Sequence, residues 1–357
     1  MPEAEPGEGQ PAPGEFRSAE LLFLSQEDVV AAGGLDMAPT IDVVREAFRL
    51  QALGDTRLPS KPTIRWSDAI DSEEREGRIM AMPAYVGGDM DVAGLKWIPS
   101  VPDNASRGLP RGIGLIVLTD RVTGLPLAVM DGTVVSAMRT GAVTGLCCSL
   151  LAREGASVVA LLGAGVQART QLLGLRASLP GLAEVRVWDL APDRAEAFCR
   201  EASGVGVEVT PAPGAQAACA GADVVVPVTM AREPYVPPAW IGPGALFVSI
   251  SSLDPTVDLI AASDVLVCDV WEHETEHESR PFARALAAGA IRREDVVELG
   301  DLVAGRREGR SSQEQRVFAS AVGLAIEDVA AAHRVYLRAR QLGLGTLLSL
   351  WNRPIWS

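Results

Sequence analysis

This sequence is short of positive charge: 32 Lys and Arg stand against 46 Asp and Glu, a net charge of −14. Nucleic-acid binding depends on clustered Lys and Arg that neutralise phosphates, so the balance argues against such a partner and mainly favours solubility. Cysteine is sparse as well. The five cysteines (Cys147, Cys148, Cys199, Cys219 and Cys268) are odd in number, sit in apolar contexts and show no disulfide or metal spacing, which suits core packing in a reducing, cytoplasmic compartment. No apolar run reaches membrane-spanning length and no charged-then-apolar leader precedes the chain, so a soluble protein without a membrane partner is expected. Histidine is limited to His273, His277 and His333. His273-Glu274-Thr-Glu-His277 fits the zinc-protease pattern H-E-x-x-H, but seven of the ten residues from Trp271 to Arg280 are charged or imidazole. The plainer reading is an acidic, solvated helix, and no metal site is expected.

Apolar residues make up 48% of 357 positions, enough for a sizeable core and more chain than one domain usually takes. The most informative stretch is Val158 to Asp189. Five apolar residues, Val158 to Leu162, read as a buried strand and stop at Gly163-Ala-Gly165-Val-Gln-Ala168. Two glycines permit a tight turn and close backbone approach to a pyrophosphate, and Ala168 lets helix and strand pack. The helix beginning near Val166 presents unpaired N–H groups and its dipole to the turn, an anion site made from backbone. A second strand, Val185 to Trp188, ends at Asp189, 21 positions beyond Ala168, where a ribose-binding acid is expected.

In chain order, residues 1–15 read as a disordered tail. Thr40 can cap a helix carrying Ile41, Val44, Ala47 and Phe48 and ending near Gly54. Arg57 follows in a turn-rich connector. Short strands then run from Gly77 to Met130, the last two joined by a hairpin loop at Asp120 to Gly124, an antiparallel α+β region. Thr133 to Ala152 reads as one helix with small residues at Ala137, Gly141, Ala142 and Gly145. Within it Arg139 is isolated among apolar residues, and burying it without an anion would cost several kcal/mol. Its partner is either a carboxylate such as Asp131 or an anionic substrate. Alternating strands and helices beyond Val207 imply a doubly wound parallel sheet, whose ligands sit at the carboxyl ends of the strands, at Thr229 and Ser249 to Asp254. Gln313 to Arg340 reads as helical.

The blocks MPAY (from Met82), GLKW (around Lys96), PDNASRGLPR (from Pro102), TGLPLAVMDGTVVSAMRTGAV (from Thr123), LLGAGVQAR, ELGDLVAGRREGR (from Glu298) and VFASAVGLAIEDVAAA (from Val317) occur together and in order. On these the chain, from about Phe23 to Arg340, resembles the ornithine cyclodeaminase and mu-crystallin family. The resemblance implies an α/β fold: a Rossmann domain over 150–314, inserted in an α+β substrate and dimerisation domain built from 16–149 and 315–357. It implies NAD(P), a hydride exchanged with the α-carbon of an amino acid through an imine, and a homodimer. Carried over by position, Arg57, Lys96 and Arg139 would hold the substrate carboxylate, with Lys96 also able to move a proton. Thr140, Gly163, Gly165, Val166, Gln167, Asp189, Thr229 and Ser251 would line the cofactor. Asp189, with no arginine directly after it, favours NAD over NADP.

One departure bears on the reaction. The late acid that handles a substrate amine in the cyclodeaminases falls here in Ser251-Ser-Leu-Asp254-Pro255, so Leu253 takes the acid's position and Asp254, the remaining catalytic candidate, lies one residue along. The expected function is therefore an NAD-dependent oxidoreductase of α-amino or α-imino acids. The alternatives are a cyclodeaminase that releases ammonia with catalytic NAD, and a ligand-binding protein without turnover.

Overall fold

The structure, a computed structural model, describes residues 18–65 and 77–356; the tail expected over 1–15 falls outside them. Two sheets of eight strands carry the fold. The first contains β1 (Ala19–Leu24), β2 (Thr56–Arg57), β3 (Thr63–Arg65), β4 (Arg78–Val86), β5 (Val92–Ser100), β6 (Leu115–Asp120), β7 (Pro126–Asp131) and, from the far end of the chain, β16 (Thr346–Trp351). Its order is β16-β1-β7-β6-β5-β4-β2, with β3 also on β4. The meander β4 to β7 is antiparallel, and its last turn closes where Asp120 accepts from the Thr123 N–H (2.7 Å). The sheet is mixed, not purely antiparallel, because β1 runs parallel to β7. Pairing β1 with β16 joins the two chain ends.

The second sheet holds β8 (Val158–Leu162), β9 (Glu184–Trp188), β10 (Glu208–Pro211), β11 (Val224–Pro227), β12 (Leu246–Ser249), β13 (Val265–Cys268), β14 (Val296–Glu298) and β15 (Val317–Ser320), all parallel, in the order β10-β9-β8-β11-β12-β15-β13-β14. Strands covered on both faces need continuous apolar runs, which is why β11 and β12 are buried throughout. The order reverses between β8 and β11, opening a crevice at their carboxyl ends.

The helical pattern expected from Gln313 to Arg340 resolves into a strand and a helix. Val317–Ser320 is β15, inserted between β12 and β13, and the helix starts only at Ala325 and runs to Leu342. A short buried apolar run has no decisive period, and here the vacant place in the sheet wins. The expected boundary at 314/315 is corrected accordingly, because β15 belongs to the parallel sheet. Thr40 likewise is no cap: the helix is Met37–Ala52 with Asp36 before it, and the Thr40 hydroxyl donates back to the Asp36 carbonyl (2.7 Å).

Helix Gly132–Leu151 links the two sheets. Contrary to the expectation from apolar runs, it is long and apolar enough, at 20 residues, to cross a membrane, yet most of it is buried inside the protein. A helix apolar on all sides is what an enclosed position demands. Its small residues admit a backbone neighbour: a Cβ on Gly141 would stand 2.2 Å from the Thr170 carbonyl oxygen, and one on Gly174 would stand 2.1 Å from that of Gly141. Helices Gly132–Leu151 and Val166–Ser178 therefore touch backbone to backbone.

Candidate active site

The phosphate turn forms as the glycine spacing requires. Gly163 takes φ +105°, and a Cβ there would lie 2.9 Å from the Val228 carbonyl. Gly165 precedes helix Val166–Ser178 without a side-chain cap, Gly165 and Val166 are exposed, and Ala168 is fully buried. The first N–H groups of that helix are thus left for an outside acceptor. Asp189 follows β9 directly and accepts from Ala164 N–H (2.9 Å) and Ala191 N–H (2.9 Å), so its carboxylate braces the turn. Gln167 is half-buried in the first turn of the helix. These residues fit a dinucleotide: close backbone approach, free N–H groups and a half-buried acid past the second strand.

Across the crevice, charged side chains from both sheets converge. Lys96 on β5 is 1% exposed, its ammonium 2.6 Å from Asp328 and 3.0 Å from the Ser136 hydroxyl. Arg139, on helix Gly132–Leu151, donates to Glu327 (2.7 Å) and Asp328 (3.0 Å). The open question of its partner is answered by helix Ala325–Leu342 and not by Asp131, which caps its own helix through Val134 N–H (3.0 Å). Burial pushes the Lys96 ammonium down to about 8, with Arg139 adding to the effect and Asp328 opposing it. Burial works against Arg139 too, but Asp328 and Glu327 outweigh it and hold its pKa above the ordinary value.

Arg57 does not join this cluster. Its cross-strand partner on β4 is Tyr85, three residues from Met82, which pairs with Lys96. Directly paired residues share a face and successive residues alternate, so Arg57 points to the opposite side of the sheet. Its guanidinium rests there on the carbonyls of Gly54 (3.1 Å) and Thr56 (2.7 Å). The third cation of the site is Lys61, overlooked in the sequence. It donates to the Gly323 carbonyl and has no carboxylate within ion-pair distance among the described residues. Gly323 ties the cluster together: its N–H donates to Asp269 (3.0 Å), and a Cβ on it would fall 2.2 Å from Arg139. A signal was available. Lys61 and Lys96 are the only two lysines among 32 basic residues, and both stand in this cluster.

Asp254 is corrected as a catalytic candidate. It is fully buried, and its carboxylate accepts from the Thr229 and Ser251 hydroxyls, knitting together the loops after β11 and β12. Thr229 and Ser251 therefore lie at the expected strand ends with their hydroxyls turned inward. Thr140 is buried beside Arg139 and donates to the Ser136 carbonyl (2.7 Å).

The H-E-x-x-H segment is neither zinc-like nor a solvated helix. Helix Trp271–Thr275 ends before His277, which is exposed, while His273 is 7% exposed and Glu274 fully buried. Among the described residues no three or more His, Cys, Asp and Glu side chains are grouped as metal ligands would be. Glu274 accepts from Ser320 (2.5 Å), and burial next to Asp269 pushes its carboxyl up to about 8.

Comparison with known proteins agrees with this geometry. A model of the ornithine cyclodeaminase/mu-crystallin family matches residues 20–342. Alanine dehydrogenase of Archaeoglobus fulgidus is 34% identical over 339 residues, 93% of this chain and 99% of that protein. Among solved structures, Thermococcus litoralis Δ1-pyrroline-2-carboxylate reductase in complex with NADH and L-proline matches with a TM-score of 0.83 at 31% identity, covering 91% of this chain and 99% of the other. An archaeal alanine dehydrogenase dimer with bound NAD matches with a TM-score of 0.82 at 33% identity, covering 93% and 100%.

Proposed function

The chain belongs to the ornithine cyclodeaminase/mu-crystallin family, and from that premise and the site geometry we infer that it is an NAD-dependent oxidoreductase of α-amino or α-imino acids. The observation that carries the reading is the Gly141–Gly174 contact, which locks the helix bearing Arg139 to the helix whose N-terminus faces the phosphate turn. When bound, the nicotinamide supplies a two-electron acceptor or donor for the substrate α-carbon. Lys61, Lys96 and Arg139 hold the substrate carboxylate; Lys61 is free to take it directly, and the other two give up part of their pairing with Glu327 and Asp328. Arg139 offers a planar fork and the lysines offer point charges. Lys96, poised near 8, is also able to exchange a proton with the substrate nitrogen.

Net oxidation or reduction is favoured over cyclising deamination. Asp254 is committed to Thr229 and Ser251, and Leu253 beside it is apolar, so that loop offers no free acid to steer a distal amine. Asp189 favours NAD over NADP by repelling a 2′-phosphate. The working form is a cytoplasmic homodimer. Its five thiols are unpaired, and the outer face of the first sheet displays Phe23, Trp97 and Leu115 at 38%, 39% and 45% exposure, an apolar surface that a second copy would cover.

The deciding experiment follows nicotinamide absorbance in both directions with a panel of amino acids and their imines, and assays ammonia with L-ornithine or L-lysine and catalytic NAD. NADH accumulation with an amino acid is expected. Ammonia and a cyclic product from ornithine or lysine without NADH would establish a cyclodeaminase instead. Light scattering checks the dimer.

A further inference from the structure

We propose that the substrate carries a second anionic group, remote from its α-carboxylate, and that Arg78 receives it, flanked by Arg65, Arg111 and Arg280. The proposal rests on the α-carboxylate site described above and defines the other end of the same substrate. Cross-strand register places Lys96 opposite Met82, Ile98 opposite Met80 and Ser100 opposite Arg78. Lys96 and Arg78 thus share one face of the sheet, separated by four residue steps along β5, or about 13 Å at roughly 3.3 Å per residue. Less the reach of two long cationic side chains, that interval suits a short carbon chain with an anion at each end.

Arg65 is the direct partner of Arg78 on β3. Arg111 donates through Nε to Ser100 (3.2 Å) and touches Met230, one residue beyond Thr229. The row therefore runs from the edge of the first sheet to the crevice of the second. Arg280, just before helix Pro281–Ala287, is near enough for its charge to act on both Lys61 and Arg78.

Among the described residues, none of the four arginines has a carboxylate within ion-pair distance. Arg78 Nε is buried without a hydrogen-bond partner. Burial lowers the pKa of Arg78, and Arg65, Arg111 and Arg280 lower it further, as uncompensated like charges must. Such a group is stabilised by an arriving carboxylate, and a guanidinium matches its fork. Asp68, Asp71, Glu73, Glu74 and Glu76 lie outside the described residues.

The test uses the full chain with NAD and compares kcat/KM for L-glutamate against L-glutamine and L-aspartate against L-asparagine, with L-2-aminoadipate to vary reach. The acidic member of at least one pair should be preferred by tenfold or more, and Arg78→Met should bring that ratio towards one. Arg111→Gln provides the same reading if Arg78→Met does not fold. A wild-type ratio near one overturns the proposal. A retained ratio with weakened NADH binding in Arg78→Met also overturns it and assigns the cluster to the cofactor. Oxidation of L-alanine or L-proline with no acidic preference leaves the amino-acid reading standing while removing this one. No turnover of any amino or imino acid removes both.

Discussion

The glycine turn at Gly163–Val166 and the cation cluster around Lys96, proposed above as the two anion sites, are built by opposite means. The turn uses backbone from one contiguous stretch: a strand end, two glycines and a helix N-terminus. The cluster uses side chains from separate segments: Lys96 and Arg139 pair with Glu327 and Asp328, and Lys61 and Asp269 are held on either side of the Gly323 peptide. A backbone site places no charge in the core and is indifferent to side-chain identity except where a Cβ would intrude. A side-chain site must bury charge and balance it, so each member depends on the others.

Arg139→Ala should break the second half most. It leaves Glu327 and Asp328 buried with one cation fewer, at a stability cost of about 3–5 kcal/mol. It should also remove about 2–5 kcal/mol of substrate recognition, while NADH affinity is largely kept. Thermal melts, kinetics and NADH titration read the three effects, and unchanged kinetic constants would take Arg139 out of the substrate site. Gly163→Ala should do the converse. Strain at φ +105° and the contact with Val228 should weaken NADH binding by about 1–3 kcal/mol. Undiminished NADH affinity would mean that the turn is not the cofactor cradle.

A smaller effect comes from titration. In the proposed role the charged form of Lys96 binds the carboxylate, and burial has moved its pKa from 10.5 down to about 8. Substrate affinity should therefore be complete well below pH 8 and decline as pH rises through it, up to about tenfold per pH unit. Lys96→Arg should move that decline to higher pH, and a flat profile from pH 7 to 9.5 would show that Lys96 is not the titrating anchor. The smallest effect is expected at Glu274, whose pKa is raised from 4.5 to about 8. In that window the folded chain holds a proton that the unfolded chain has lost, so stability should fall as pH rises from 4.5 to 8. Glu274→Gln should flatten this slope in melts at pH 5 and pH 8, and an unaltered slope would assign it elsewhere.

Expectations at Arg57, Asp254 and Gln313–Arg340 differ from the structure for related reasons. Arg57 and Lys61 are four residues apart in a turn-rich connector, and only strand register decides which one reaches the inner face. Asp254 sits one residue from the expected acid, and only the hydroxyls of Thr229 and Ser251 fix its direction. Val317–Ser320 has a pattern open to helix or strand until neighbours in the sheet claim it.

The sequence alone determined the doubly wound sheet, the phosphate turn, the acid at Asp189 and the anomaly of Arg139. Each of these follows from local periodicity, glycine chemistry or the cost of burying a charge. The tertiary structure decided which cations meet, that Glu327 and Asp328 balance two of them, and that Arg78 stands beside Arg65 on the sheet face that carries Lys96. Register and long-range packing bring those residues together, and no spacing along the chain encodes which face of a sheet, or which end of a distant helix, a side chain will reach.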